Sequence, residues 1–212
     1  MVLLGSPWHT MNIHRAETIT APIRSIFLNS NIEQSRLQQM HSTAAAASGL
    51  DPYEDEYYFL AGHLSSLLED FTRAGQEYWR SCVNLPTSGR NLQQLALSRP
   101  GLDFAQKKHL LSLGPAREPL MAERYLTYSD WLLQNDLRQE AYSQLKTAME
   151  KIPWRIKKIV SFIFARRFTV AELEMTLPPL PEAWHEVGLR MEQNGRLDLS
   201  LIHISEPTRL RR

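Results

Sequence analysis

The stretch "YYFLAGHLSSLLEDFTRAGQEYWRSCVNLP" occupies residues 57–86, and "YLTYSDWLLQNDLRQEAYSQLKTAMEKIP" occupies 125–153. Each reads as two amphipathic helices closed by a proline, which cannot continue a helix. On the first helix a bulky residue is followed three and four positions later by its packing partners: Tyr58 with Ala61 and Gly62, Tyr125 with Tyr128 and Ser129. That spacing places all three on one helical face, where small side chains let a second helix approach. On the second helix Ala74, Tyr78 and Ser81, and likewise Ala141, Leu145 and Ala148, recur at i, i+4 and i+7 as a buried stripe.

Prolines carry this unit along the chain. Pro52, Pro86, Pro119 and Pro153 stand 34, 33 and 34 residues apart, and a fixed period of that length marks stacked helix pairs. The units so defined are 53–86, a degenerate copy at 87–119, and 120–153. In the degenerate copy "RNLQQLAL" meets Pro100 and Gly101 early, and Lys108 stands where a small residue is expected. Residues 21–52 form an earlier copy, with Ala44 and Ala47 on its second helix, preceded by an irregular segment, 1–20. Residues 154–178 are too few for a full unit; "WRIKKIVSFIFARRF" reads as one helix, and Thr169 to Glu172 has the form of a capping box. A truncated copy at 179–200 places Trp184, Val187, Gly188, Met191 and Ser200 in register, with Gly195 in its turn.

This pattern resembles the tetratricopeptide repeat, whose W-x2-L-G-x2-Y, A-x3-F, A and P positions the quoted stretches match. The resemblance implies an all-α fold, a right-handed α-solenoid of helix-turn-helix repeats with the first helices lining a groove. If positions 4, 7, 8 and 11 of a unit face neighbouring helices, positions 2, 5, 9 and 12 turn toward that groove. They are Glu56, Phe59, His63 and Ser66, then Arg90, Gln93 and Leu97, then Glu123, Leu126, Asp130 and Leu133. The expected occupant is a peptide or partner helix, because the repeat supplies a binding face rather than a reaction centre. The aromatic residues Tyr58, Tyr78, Tyr125, Tyr128 and Trp131 read as interhelical core.

Composition excludes several other classes. Lys and Arg number 24 against 23 for Asp and Glu, so no charge excess draws the chain to nucleic acid. The single Cys82 excludes an intramolecular disulfide framework and multi-thiolate metal sites, and reads as a small buried residue. No run reaches the roughly 18 apolar residues of a membrane span, so a membrane connection would come through a missing upstream region. Signatures of phosphate loops, zincins and nucleophile elbows are absent, the histidines lack partners by spacing, and neither cofactor nor metal is expected. Two alternatives remain: an enzyme using His63 and Glu56 in the groove, and a membrane-surface adaptor using the basic helix 154–168, whose cations do not gather on one side of a helical wheel.

A narrower resemblance spans about residues 14–200. "HRAETI", "SIFLNSN", "LDPYEDEYYFLAGHL", "RYLTYSDWLL" and "LPPLPEAWHEVG" are similar to the tail following the membrane spans of bacterial O-antigen ligase or polymerase-like proteins. It implies a helper domain on the periplasmic or cytoplasmic side of polysaccharide assembly, with no catalytic residue to carry over. Residues 201–212, "LIHISEPTRLRR", break the register and resemble a translated sequencing adapter. The expectation is therefore that the native chain continues beyond Ser200 with other residues.

Overall fold

The computed structural model describes residues 7–26 and 32–193. Among these the regular elements are helices: α1 (Pro7–Ile26), α2 (Gln34–Leu50), α3 (Asp55–Leu67), α4 (Phe71–Asn84), α5 (Gly89–Ser98), α6 (Phe104–Arg117), α7 (Ala122–Gln134), α8 (Arg138–Lys151), α9 (Ile156–Ala165), α10 (Val170–Thr176) and α11 (Pro181–Gln193), with a 3-10 turn at Pro153–Arg155. The fold is all-α and built of helix-turn-helix repeats, with α3 packed on α4 and α7 on α8. The chain divides into two units, one ending at Leu113 and one beginning at Gly114. Gly195, Ser200 and the stretch 201–212 lie outside the described residues.

In the first unit Ile23, Leu37, Met40, Ala44, Leu60 and Leu64 form one core and Ala74, Tyr78, Cys82 and Leu95 another. Gly62 sets the spacing of α3 and α4: a Cβ there would stand 3.0 Å from the Tyr78 ring. Burial pushes the Cys82 thiol up to about 12, so it packs as a small apolar group rather than as a nucleophile. In the second unit Tyr125, Tyr142, Leu145, Met149, Ile159, Ile163 and Val187 belong to one continuous core.

Two expectations need correction. Residues 7–20 are not irregular, because α1 runs unbroken from Pro7 through Pro22 to Ile26. Its buried face, Ala16, Thr20 and Ile23, packs on α2, and the Thr20 hydroxyl donates back to the Ala16 carbonyl at 2.9 Å. Burial of that face outweighs the hydrogen bond that Pro22 removes. Nor is 154–168 one helix: Trp154 and Arg155 belong to the 3-10 turn, and α9 ends at Ala165.

The turns between first and second helices share one device. Glu69, Gly101, Asp136 and Arg167 adopt positive φ of 62°, 81°, 58° and 56°, the left-handed conformation that redirects a chain after a helix. Side-chain caps then start α4, α6 and α10, whereas α8 begins after Leu137 without one. Asp70 accepts from the Arg73 amide at 3.0 Å, and Asp103 and Gln106 exchange side chain to backbone bonds at 2.8 and 3.0 Å. Thr169 and Glu172 form the expected capping box.

Candidate functional site

The first helices present the candidate faces. In the first unit Glu56, Phe59, His63 and Ser66 lie along α3, each half-buried. Arg90 of α5 reaches across and donates to Glu56 Oε2 at 2.6 Å. Its guanidinium simultaneously covers the Phe59 ring at 3.7 Å from the centroid, and Phe59 meets Tyr78 edge-on at 5.5 Å. Ser66 donates to the Gly62 carbonyl at 3.0 Å and lies 3.3 Å from the Ser98 hydroxyl. Three of the expected face residues thus form one cluster that ties α3 to α5. Leu97 is the most open apolar member, at 43% exposed.

Gln93 is not on this face. It is fully buried and its side-chain amide donates to the Leu111 carbonyl at 3.0 Å. The reason lies in α6, which contains Pro115. A helical carbonyl accepts from the amide four residues on, and a proline there leaves it without a donor. Gln93 supplies the missing donor and is drawn inward by it.

In the second unit Glu123, Leu126, Asp130 and Leu133 lie along α7, half-buried. Lys158 of α9 pairs with Glu123 and holds its carboxyl below the ordinary carboxylate value. Arg166 donates to Asp130 at 2.6 Å while standing 5.1 Å from the Phe162 ring centroid. Leu126 and Leu133 pack against the core with one flank. The carboxylates of both faces are therefore answered by Arg90 of α5, Lys158 of α9 and Arg166 just past α9, and the surface left is mixed: charges paired within the protein beside half-buried apolar groups.

Several functional partners escape single-unit reasoning: Ser98, Lys158, Phe162 and Arg166. One signal for the ion pairs is present, since Arg90, Lys158 and Arg166 follow their carboxylates by 34, 35 and 36 residues, about one repeat. A second, wholly unanticipated cluster lies inside the first unit. There Glu77 accepts from Ser65 at 2.7 Å and Arg73 at 3.3 Å and meets His41 Nε2 at 2.9 Å. It joins α2, α3 and α4.

Burial lowers the pKa of His63, favouring its neutral form. Glu56 lies two helical turns from it, about 10 Å of rise, and is held by Arg90. Among the described residues no three His, Cys, Asp or Glu side chains could hold a metal ion, and no helix is long and apolar enough to cross a membrane.

No protein-family model matches the chain, and no curated protein does. Solved structures do. Yeast Tom70 aligns with a TM-score of 0.55 at 16% identity, over 91% of this chain and 41% of that one. TTC0263, described as a thermophilic TPR protein of Thermus thermophilus, aligns with a TM-score of 0.52 at 14% identity, over 93% and 97%. MamA of RS-1 gives 0.51 at 10% identity, over 86% and 97%. At these identities the likeness shows the fold, which is that of tetratricopeptide repeats.

Proposed function

We propose that the chain is a protein-interaction scaffold whose first-helix faces take an extended peptide or a partner helix. The observation that carries this reading is the state of those faces: their carboxylates are paired within the protein, while Leu97 stays open and Phe59, Leu126 and Leu133 keep one flank accessible. Such a surface offers apolar anchoring sites for side chains of a bound segment. The reaction-centre alternative is weaker, because Glu56 is committed to Arg90 and separated from His63.

Within this reading, the motifs between residues 14 and 200 support a helper role beside a bacterial O-antigen or related polysaccharide assembly enzyme. An in-frame multi-span region upstream of Met1 in the parent gene would support that placement; a parent gene without one would overturn it. Peptide recognition itself is tested by selecting displayed peptides on the purified chain. Peptides selected on either face should lose at least tenfold in affinity against the substitution in that face, Leu97→Asp in the first unit or Leu126→Asp in the second, and none against Lys107→Ala, which lies outside the candidate faces. Equal binding by all variants would sink the assignment.

A further inference from the structure

A different surface lies at the turn edge of the second unit. Leu120 and Met121 occupy the turn before α7, and Trp154 occupies the 3-10 turn before α9. The two turns are adjacent, since Glu123 in the first turn of α7 pairs with Lys158 in the first turns of α9 and is also influenced by Arg155. Their apolar side chains are turned outward: Leu120 is 60% exposed, Met121 54% and Trp154 65%. Lys151 at the end of α8, Arg155 in the turn and Lys157 in α9 are exposed around them and make no ion pair among the described residues. Of the nearby carboxylates Glu118 is paired with Arg124 and Glu123 with Lys158, Arg155 adding to the field on Glu123, which leaves Glu150 against Lys151, Arg155 and Lys157.

We infer that this edge docks on an anionic membrane surface. Three features favour that occupant over an acidic peptide. The apolar groups sit at the tips of two turns and are more than half exposed, so they project as anchors rather than line a groove. Trp, Leu and Met in that position bury their apolar bodies at the boundary between headgroups and acyl chains. Flexible Lys and Arg side chains around them stay in the headgroup layer and gain from its negative potential. The helical wheel of α9 hides this arrangement, because the cations gather around the turn edge and not along one helix.

The experiment is co-sedimentation of the full chain with phosphatidylcholine vesicles, with and without phosphatidylserine, at low and high salt. The expected result is phosphatidylserine-dependent binding that salt suppresses. Combining Lys151→Gln, Arg155→Gln and Lys157→Gln should weaken it on the order of a hundredfold, given the attraction per cation near such a surface. Trp154→Ser should weaken it further, and the fluorescence blue shift on vesicle addition should diminish in Trp154→Phe. All these side chains are exposed, so circular dichroism should show unchanged folding. Failure to bind phosphatidylserine vesicles at low salt, binding indifferent to the triple substitution, or a polyglutamate peptide that binds more tightly than vesicles, displaces them and is weakened by the same substitutions would each overturn the inference, the last in favour of an acidic peptide.

Discussion

Gln93 donates its side-chain amide to the carbonyl of Leu111 at 3.0 Å, the acceptor that Pro115, four residues further along α6, leaves unserved. Both residues are fully buried, so water cannot take the place of either. A repeat copy that looks degenerate in sequence has thus compensated one irregularity, a proline inside its second helix, with another, a buried glutamine on its first.

Gln93→Leu should therefore destabilise the protein by about 1–3 kcal/mol, the cost of an unsatisfied buried carbonyl. Pro115→Ala restores a backbone donor, so it should recover most of that loss in the Gln93→Leu background. Urea unfolding of the four proteins closes the cycle. Additive effects of the two substitutions would show that the glutamine does not serve this carbonyl.

How much of this was open to sequence reasoning depends on distance along the chain. The helix pairs followed from proline spacing and from residues such as Tyr78, Ala141 and Leu145, because helical packing writes a local period into sequence. Glu56 and Phe59 were legible as residues of one face for the same reason. Their engagement by Arg90 was not, since it needs the rotation of α5 relative to α3, and the inward turn of Gln93 needs knowledge of which α6 carbonyl lacks a donor. The irregular reading of residues 7–20 failed for another reason: burial of Ala16, Thr20 and Ile23 sustains α1 there, and tertiary burial of this kind leaves little local signal.

The left-handed turns make a second prediction. Glu69 and Arg167 hold φ of 62° and 56°, a conformation that costs an ordinary L-residue roughly 1–2 kcal/mol and glycine nothing. Glu69→Gly and Arg167→Gly should each stabilise by about 0.5–1 kcal/mol after allowing for the larger unfolded-state entropy of glycine. Asp136→Gly should gain less, because aspartate tolerates this region better. Thermal melts that place all three below the parent would refute the argument.

Gly62 supports a third. A methyl group there would come within 3.0 Å of the Tyr78 ring, which is fully buried and cannot swing aside into solvent. Gly62→Ala should cost about 1–3 kcal/mol by overpacking, despite alanine's higher helix propensity. Gly49 of α2 has no such neighbour, so Gly49→Ala should be neutral or stabilising when the two are compared by denaturant unfolding.

Acid should act on the second unit through Glu172. The Tyr142 hydroxyl, the Thr169 amide and hydroxyl, and Arg138 all bond its carboxylate, and together they hold its pKa at about 2, against 4.5 ordinarily. A folded-state value below the unfolded one means that the stabilisation is complete above the ordinary carboxylate range and is lost as pH falls from there through about 2. Glu172→Gln should then cost about 1–2 kcal/mol at neutral pH, a figure kept small because solvent reaches part of this network. The difference between parent and variant should vanish toward pH 2. A difference independent of pH would assign the loss to packing.

Salt should separate the two proposed surfaces. On the first-helix faces the carboxylates of Glu56, Glu123 and Asp130 are already paired with Arg90, Lys158 and Arg166, so a bound peptide meets little unbalanced charge. On the turn edge Lys151, Arg155 and Lys157 make no close ion pair among the described residues, Arg155 acting on Glu123 only at longer range. Raising ionic strength shortens the screening length from about 30 Å at 0.01 M to about 10 Å at 0.1 M. Peptide affinity should therefore change less than threefold over that range, whereas vesicle binding should fall by at least tenfold. If both decline together, the faces carry more unpaired charge than their internal ion pairs leave, and the apolar account of peptide recognition fails.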